Sequence, residues 1–332
     1  MVHLVHLLSS LPISPSHSVF SLTSSITDYT YENGRRYHSY RAGKYALPND
    51  TLEAERLDIV HHLSLLFLSG DLYTSPVRQL ASSGRLRRAL DAGTGTGIWA
   101  MEFGHEFPGC EVVGVDLSPI QPTHVPPNVR FEVDDLEDEW LWDAPFDYIH
   151  IRTLLGSIAS WPTFLSNCYA HTTPGGYVEL QEIDLTNVFS ADGTYESHAH
   201  AYQHYNSLLF QAGHLTGRRF DLAPELPRMM QEAGFVDVKV QRFTQPLGHW
   251  PRRKREREIA FWSVESMVSG LEAYGLALFT RVLGVGMEEA RGVCERARRD
   301  LLREGVHTCC TWWMVSGRRP EEGEGGDEEM DG

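Results

Sequence analysis

The segment from Asp91 to Gly97, which reads D-A-G-T-G-T-G, constrains the fold more than any other part of this 332-residue chain. A short strand-like run, residues 88–90, precedes it, and a helix-like run begins at Ile98. Glycines allow positive φ and a close approach of the backbone to a ligand, and free N–H groups at a helix N-terminus face that ligand. The segment therefore predicts a strand, a tight turn and a helix that together bind a nucleotide-type cofactor.

The glycine spacing distinguishes between two classes of cofactor. A dinucleotide fingerprint requires Gly-x-Gly-x-x-Gly, but the sixth position counted from Gly93 is Ile98, which disfavours a nicotinamide dehydrogenase. The order D-x-G-x-G-x-G resembles motif I of the Rossmann-like S-adenosylmethionine-dependent methyltransferases. This resemblance implies S-adenosyl-L-methionine as the cofactor, bound by four residues of the loop: Asp91, Gly93, Gly95 and Gly97.

Acidic residues follow the next two predicted strands. Asp116 ends a buried-strand pattern about twenty residues after the glycines, where a doubly wound fold places a carboxylate for two ribose hydroxyls. Residues 129–133 predict the third strand, and Asp134 and Asp135 follow it. The resemblance implies that one of these two acids accepts a hydrogen bond from the adenine amino group, and that the next backbone N–H, up to Leu136, meets a ring nitrogen. The sequence does not decide which of the two acids, Asp134 or Asp135, has this role.

Candidate catalytic residues are less well defined. A base is needed only if the methyl acceptor is a weak acid such as a hydroxyl, and histidine is then the usual choice. Arg152 is the last residue of the fourth predicted strand, residues 146–152. It either binds a carboxylate of cofactor or substrate or pairs with Glu179 or Glu182 as a structural contact. Four histidines are candidates for the base, without a preferred one: His61, His62, His150 and His249.

A narrower resemblance rests on segments spread along the chain. Together they resemble the signature of the fungal velvet-complex-associated methyltransferases, a family tied to secondary metabolism, and the likeness extends from about Tyr29 to Pro320. The resemblance implies a methyl donor and a fungal source, but no particular substrate. The segments that carry it are residues 32–38, 45–50, 56–62, 174–179, 248–251 and 307–320.

Two functions are compatible with this resemblance. The first is an active methyltransferase whose acceptor is unidentified and is expected to be a small fungal metabolite. The second is a regulatory protein that keeps the fold and acts as a partner in a nuclear, transcription-linked complex. Changing Gly93 and Gly95 would abolish the biological effect in the first case and leave it unchanged in the second.

The order of the elements predicts an α/β fold of the Rossmann-like class I methyltransferase type, with seven mostly parallel strands and helices on both faces. Strand seven is expected to be antiparallel between strands five and six, as the resemblance implies. The predicted segments are a disordered leader at 1–27, an N-terminal helical lid region at 28–84, the methyltransferase domain at 85–320 with a helical insertion at about 250–304, and an acidic disordered tail at 321–332.

Composition excludes several classes of partner. The net charge is −16, and without the seven acids of the tail it remains about −9, so direct nucleic-acid binding is not expected. Five cysteines without Cys-x-x-Cys spacing predict no metal site and a reducing compartment, and the short apolar runs predict no membrane span. A cytoplasmic location is expected; the basic cluster at 252–257 leaves nuclear entry as the alternative.

Overall fold

A computed structural model of the chain describes residues 29–38 and 47–324. The predicted leader at 1–27 and residues 325–332 of the predicted tail lie outside the described residues, as does part of the 45–50 signature. In the described part of the chain, no helix is both long enough and apolar enough to cross a membrane.

A seven-stranded sheet forms the centre of the molecule, in the order β5-β4-β3-β6-β7-β9-β8. Strands β3 to β7 pair in parallel, and β9 is antiparallel to both β7 and β8. This confirms the predicted fold class, including the antiparallel last strand between the fifth and sixth. The strands are β3 (Arg88–Ala92), β4 (Glu111–Asp116), β5 (Val129–Val133), β6 (Phe146–Arg152), β7 (Thr172–Phe189), β8 (Val236–Pro246) and β9 (Cys309–Arg318).

Helices cover both faces of the sheet, which is why its central strands are nearly continuous apolar runs. The helices are α1 (Thr51–Phe67), α2 (Val77–Ser82), α3 (Ile98–Glu106), α4 (Trp161–Ala170), α5 (Thr194–His198), α6 (His200–Thr216), α7 (Leu226–Glu232), α8 (Lys254–Ala277) and α9 (Met287–Leu301).

Alternate residues of the central strands belong to two separate cores. Leu90 and Ile149 pack in one cluster with the buried Trp161 of α4. Ala89 and Tyr148, one position earlier on each strand, pack in a second cluster with the α3 side chains. Because the side-chain period of a strand is two, this alternation places one helical layer on each face.

The N-terminal region differs from the predicted helical preface in one respect. Ahead of α1, strands β1 (Thr30–Glu32) and β2 (Arg35–Tyr37) form an antiparallel hairpin that was not predicted. Its turn residues Asn33 and Gly34 have φ of 58° and 82°. Positive φ at both central positions is the requirement of a type I′ turn, so the Asn-Gly pair was the missed signal.

Residues 194–216 form two helices rather than one. The chain is divided into α5 and α6 at Ala199, whose φ and ψ of −104° and 40° are not helical. The insertion between β8 and β9 contains α8, a π-helical turn at Leu278–Val282, and α9. All three elements pack with α6 in a third core.

The buried carboxylate of Glu179 fastens the N-terminal region to the sheet. Glu179 is fully buried on β7, and it accepts hydrogen bonds from the N–H groups of Thr74 and Ser75 at 2.8–2.9 Å and from the Ser75 hydroxyl at 2.7 Å. The amide of Gln181 donates a further bond at 3.0 Å. These donors hold the segment between α1 and α2 against the middle of the sheet.

Candidate active site

The glycine loop between β3 and α3 has the backbone that its sequence predicts. Gly93, Gly95 and Gly97 have φ of 77°, 56° and 80°, a region that residues with a Cβ avoid. Two of them also lie against side chains. A Cβ on Gly93 would stand 2.5 Å from Leu154 Cδ2, and one on Gly97 would stand 2.3 Å from the Phe131 ring. Glycine is therefore required for space as well as for conformation.

Asp116 ends β4 directly beside this loop. Its Oδ2 accepts a hydrogen bond from the Gly95 N–H at 2.9 Å, and its Oδ1 accepts from the Ser118 N–H at 2.9 Å. A carboxylate has about four acceptor positions, so two remain for further donors. Burial raises the pKa of Asp116 to about 6, which leaves the group mainly ionised at neutral pH. The carboxylate is thus preformed for a pair of hydroxyl donors.

Asp134, Asp135 and Leu136 continue the same cleft after β5. Together with Gly93, Asp116 and Leu154 they line about 510 Å³ of space, counting its open mouth. The Asp134 side chain is exposed, whereas Asp135 is buried and accepts from the Glu137 N–H at 3.0 Å. Asp134 therefore has the more accessible carboxylate, while both acids stand at the end of β5 as predicted.

A second cavity lies between the glycine loop and α1. The loop, together with Leu57 and Val60 of α1, forms its walls, and His150, Arg152 and Thr153 complete it. The contact with α1 is direct, because the Thr96 hydroxyl donates to Asp58 Oδ1 at 2.7 Å.

His150 and Asp91 form a buried pair on adjacent strands at this cavity. His150 Nδ1 lies 2.8 Å from Asp91 Oδ1, and the ring stacks on Trp99 with centroids 3.9 Å apart. The other Asp91 oxygen accepts from the Thr94 hydroxyl. Burial lowers the pKa of His150, so the ring is neutral, with its proton on the nitrogen that faces Asp91. Its Nε2 is then an acceptor, and it is buried without a hydrogen-bond partner among the residues that the structure describes.

Arg152 belongs to a chain of three polar side chains that links the sheet to two helices. Its Nη2 lies 3.1 Å from His61 Nδ1, and His61 Nε2 lies 3.1 Å from Glu102 Oε2. Because a guanidinium only donates, His61 accepts on Nδ1 and donates from Nε2. Burial, reinforced by the charge of Arg152, lowers the pKa of His61 to about 2. The imidazole is therefore neutral, and its lone pair is occupied.

The remaining candidates lie in different places. His62 is on the other side of α1, where its ring meets Trp262 of α8 edge-on with centroids 5.1 Å apart. His249 is exposed in the loop after β8, with its ring centroid 6.4 Å from that of Phe261. Neither lines the two cavities at the glycine loop. The structure thus brings His61, His150 and Arg152 together and separates them from His62 and His249.

The two acids considered as structural partners of Arg152 have other contacts. Glu179 binds the segment before α2, and Glu182 accepts from the Leu154 N–H at 2.7 Å. Glu102 and Glu182 were not predicted as site residues. Glu102 had a detectable signal, because it lies one helical turn after the glycine loop. Glu182 had none, because one acid on a strand does not reveal what its side chain faces.

No group of three or more His, Cys, Asp or Glu side chains within residues 29–38 and 47–324 has the arrangement of a metal site. The five cysteines are all buried free thiols.

Comparison with known proteins places this geometry in a family. The model of a methyltransferase domain matches residues 64–240. The methyltransferase pytC of Aspergillus terreus is 40% identical over 91% of this chain and 92% of its own length. The chain belongs to this methyltransferase family. The secondary metabolism regulator LAE1 of Cochliobolus heterostrophus is 34% identical over 88% of the chain and 95% of its own length.

This family assignment confirms the recognised resemblance. The protein is an S-adenosylmethionine-dependent methyltransferase whose relatives are linked to fungal secondary metabolism. A phosphoethanolamine N-methyltransferase 2 of Haemonchus contortus, solved with S-adenosyl-L-methionine, is 16% identical with a TM-score of 0.46, covering 91% of this chain and 73% of its own. At that distance the assignment rests on the sequence relatives and on the sheet order itself.

The residues at the loop fit the cofactor of the family. Ribose hydroxyls are donors that the two free acceptor positions of Asp116 match, and the cleft continues from Asp116 to Leu136. When it is bound, S-adenosylmethionine supplies an activated methyl group on a sulfonium.

Proposed function

We propose that this protein transfers a methyl group from S-adenosylmethionine, bound across the glycine loop, to a small molecule. The observation that carries the proposal is the continuity of the site. The cleft at Asp116 and Leu136 and the cavity at His150 share Gly93, so one extended ligand spans both. Adenosine would occupy the first and the methionine portion the second. Methyl transfer then requires mainly that the acceptor be held in line with the methyl group.

Roles for the polar residues follow from their protonation states. His150 presents a neutral Nε2 at the methionine cavity, which suits acceptance of a hydrogen bond from an ammonium group. Arg152 is suited to the carboxylate of the same portion, and His61 positions it. Since the lone pair of His61 is occupied and its pKa is about 2, we assign His61 to positioning rather than to proton transfer.

We propose that α1 is a lid over this site, as the sequence predicted for the N-terminal region. A Cβ on Gly95 would lie 3.1 Å from Leu57 Cδ1, so α1 packs directly on the loop. Two contacts hold α1 in this place: Asp58 accepts a hydrogen bond from Thr96 of the glycine loop, and His61 contacts Glu102 of α3. Opening of the site would break these two contacts, the contact of His61 with Arg152, and the packing of Val60 and Leu63 against the sheet.

Binding of S-adenosylhomocysteine, measured by calorimetry, tests the cofactor site. We expect the affinity to fall as the pH drops through about 6, because protonation of Asp116 removes acceptors that the ribose hydroxyls need. Asp116→Asn should bind about 10- to 100-fold more weakly at pH 7.5, the loss expected of one or two hydrogen bonds to a charged group. It should also lose the pH dependence. Equal affinities of wild type and Asp116→Asn at pH 7.5 would contradict the assignment.

A transfer assay separates enzyme from regulator. The protein is incubated with a fungal extract and a donor that is tritiated in the methyl group, and the products are divided into small-molecule and protein fractions. We expect label in the small-molecule fraction, and much less of it with Asp116→Asn, because this variant binds the donor more weakly. Label confined to protein would reject a small-molecule acceptor. No label from a protein that binds S-adenosylhomocysteine would favour the regulatory alternative, in which the fold serves a protein complex.

We also propose that the protein acts in the cytoplasm. The basic cluster at 252–257 is partly engaged within the fold, because Arg253 lies 3.5 Å from Glu256 and Arg255 donates to the Leu66 carbonyl at 2.9 Å. A fluorescently tagged protein should keep its distribution when the five cations of the cluster are replaced. Loss of a nuclear signal in that variant would identify an import patch instead.

A further inference from the structure

A third cavity opens behind the cofactor site, between the sheet and helices α1, α6 and α8. It holds about 650 Å³ of space, counting its open mouth. Its walls are mostly apolar, and the side chains that dominate them are Leu155, Ile183, Leu209, Phe220, Met267 and Leu271. The cavity lies where β6 ends and its pairing with β7 stops, at Arg152 and Gln181.

One short segment separates this cavity from the cofactor site. Thr153 lines both this cavity and the one at the glycine loop, Leu154 lines the adenosine cleft, and Leu155 lines this cavity. Thr153 has φ of 52°, a left-handed conformation that a β-branched residue adopts only under constraint. The strained turn places the new cavity directly across from the position proposed for the methionine portion.

Glu182 is the acidic group in the wall of this cavity. Its side chain is 1% exposed, and its carboxylate accepts from the N–H groups of Leu154 at 2.7 Å and Leu155 at 3.4 Å. No cation in the described ranges lies within ion-pair distance of it. Burial raises the pKa of Glu182 to about 8, despite those two donors. The ionised form of a carboxyl group with this pKa is a stronger base than an ordinary carboxylate, and it becomes the main form as the pH rises through about 8.

The other charged groups at this cavity balance one another. Arg56 of α1 also lines the cavity, but it forms a bidentate pair with Glu53, with contacts of 2.6–3.1 Å, and lies over the ring of Tyr274. Tyr274 of α8 and Tyr205 of α6 are the further titratable groups in the wall. With the charge of Arg56 neutralised, the site offers no net cation to an anionic ligand.

We propose that this cavity binds the methyl acceptor, a neutral and largely apolar molecule that carries a hydroxyl group, and that Glu182 accepts the hydroxyl proton. This inference rests on the proposed function. The acceptor oxygen attacks the methyl carbon as the C–O bond forms and the C–S bond breaks. The bonding electron pair stays on sulfur, so the sulfonium becomes a thioether. The proton passes from the hydroxyl to the Glu182 carboxylate, and solvent removes it afterwards.

Binding of 2-naphthol, a neutral aromatic alcohol, tests the cavity without a known substrate. Calorimetry is performed on the full chain with and without saturating S-adenosylhomocysteine. We expect 2-naphthol to bind, with affinity several-fold higher at pH 8.5 than at pH 6.5, because the ionised Glu182 is the better acceptor. Glu182→Gln should abolish the pH dependence. The anion 2-naphthoate should bind at least 10-fold more weakly than 2-naphthol.

A matched pair of variants on α8 links binding to this cavity. Gly270 lines it, and a Cβ there meets Arg56 Cδ and the Tyr274 ring at 3.7 Å, an ordinary contact. The Gly270→Leu variant should therefore fold. Its side chain should fill the cavity and lower the affinity for 2-naphthol at least 10-fold. Its exposed neighbour Ser269 provides the control, Ser269→Leu, which should bind as wild type does.

The outcomes are distinct. Failure of wild type to bind 2-naphthol at millimolar concentration, equal binding by Gly270→Leu, or a preference for 2-naphthoate would each overturn the proposal. A further outcome is that the wild-type protein binds 2-naphthol, sensitively to Gly270→Leu, but not S-adenosylhomocysteine. That result would overturn the proposed cofactor site and still support this cavity as a ligand site.

Discussion

Gly93→Ala is expected to lower the affinity for S-adenosylhomocysteine by about 100-fold, which corresponds to about 3 kcal/mol of binding free energy. The added Cβ would stand 2.5 Å from Leu154 Cδ2, so the leucine must move. Leu154 is 8% exposed and packs in the main core, which leaves the adenosine cleft as the direction in which it yields. The substitution therefore narrows the cleft from its inner side. Calorimetry at pH 7.5 measures the loss.

Gly84→Ala is the matched control for this effect. Gly84 has φ of 72°, close to the 77° of Gly93, but a Cβ there meets nothing within 4 Å. Both variants bear the cost of a left-handed alanine, about 1 kcal/mol of stability. Only Gly93→Ala should lose cofactor affinity. Similar affinities in the two variants would mean that the cleft beside Leu154 does not hold the adenosine.

Glu179→Ala is expected to lower the free energy of unfolding by about 3 to 5 kcal/mol. The substitution leaves the N–H groups of Thr74 and Ser75 and the Ser75 hydroxyl without their acceptor in a buried site. It would also release the segment that carries α1 and α2 from the sheet. Urea denaturation measures the effect, with loss of tertiary signal at a lower urea concentration than in wild type.

Two further variants bracket this prediction. Glu179→Gln keeps one acceptor oxygen at the same place, so it should lose less stability than Glu179→Ala. Glu139→Ala removes an exposed glutamate and should change stability by less than about 0.5 kcal/mol. A loss below about 1 kcal/mol in Glu179→Ala would show that the carboxylate does not fasten the N-terminal region.

The predicted cofactor residues came from patterns that are local in sequence. Each of these residues stands at the end of a strand or directly after one: the loop glycines at β3, Asp116 at β4, and Asp134 and Asp135 at β5. Parallel strands bring their carboxyl ends to one edge of the sheet. That rule needs only the strand order, so Asp116 and Leu136 could be located before the structure was known. Their ligand contacts remain predictions, and the family assignment supports the cofactor itself.

The candidate base could not be selected in this way. His61 and His62 are adjacent in sequence, but one accepts a hydrogen bond from Arg152 and the other packs on Trp262, because neighbouring residues of a helix point to different sides. His249 was a candidate base and lies in the 248–251 segment of the family resemblance, but the structure places it in an exposed loop. The role of a histidine depends on its burial and on its hydrogen-bond partners, and the local sequence predicts neither of them.

The sequence by itself determined the class of this protein: a glycine turn between strand and helix, with an acid after the next strand, permits few folds and one type of cofactor. Tertiary structure alone decided what surrounds the reactive centre. Glu182 acquires a high pKa and faces an apolar cavity only because α1, α6 and α8, distant in sequence, exclude water from this part of β7. Burial is a property of the packed chain, and it sets both the charge state and the ligand chemistry of such a site.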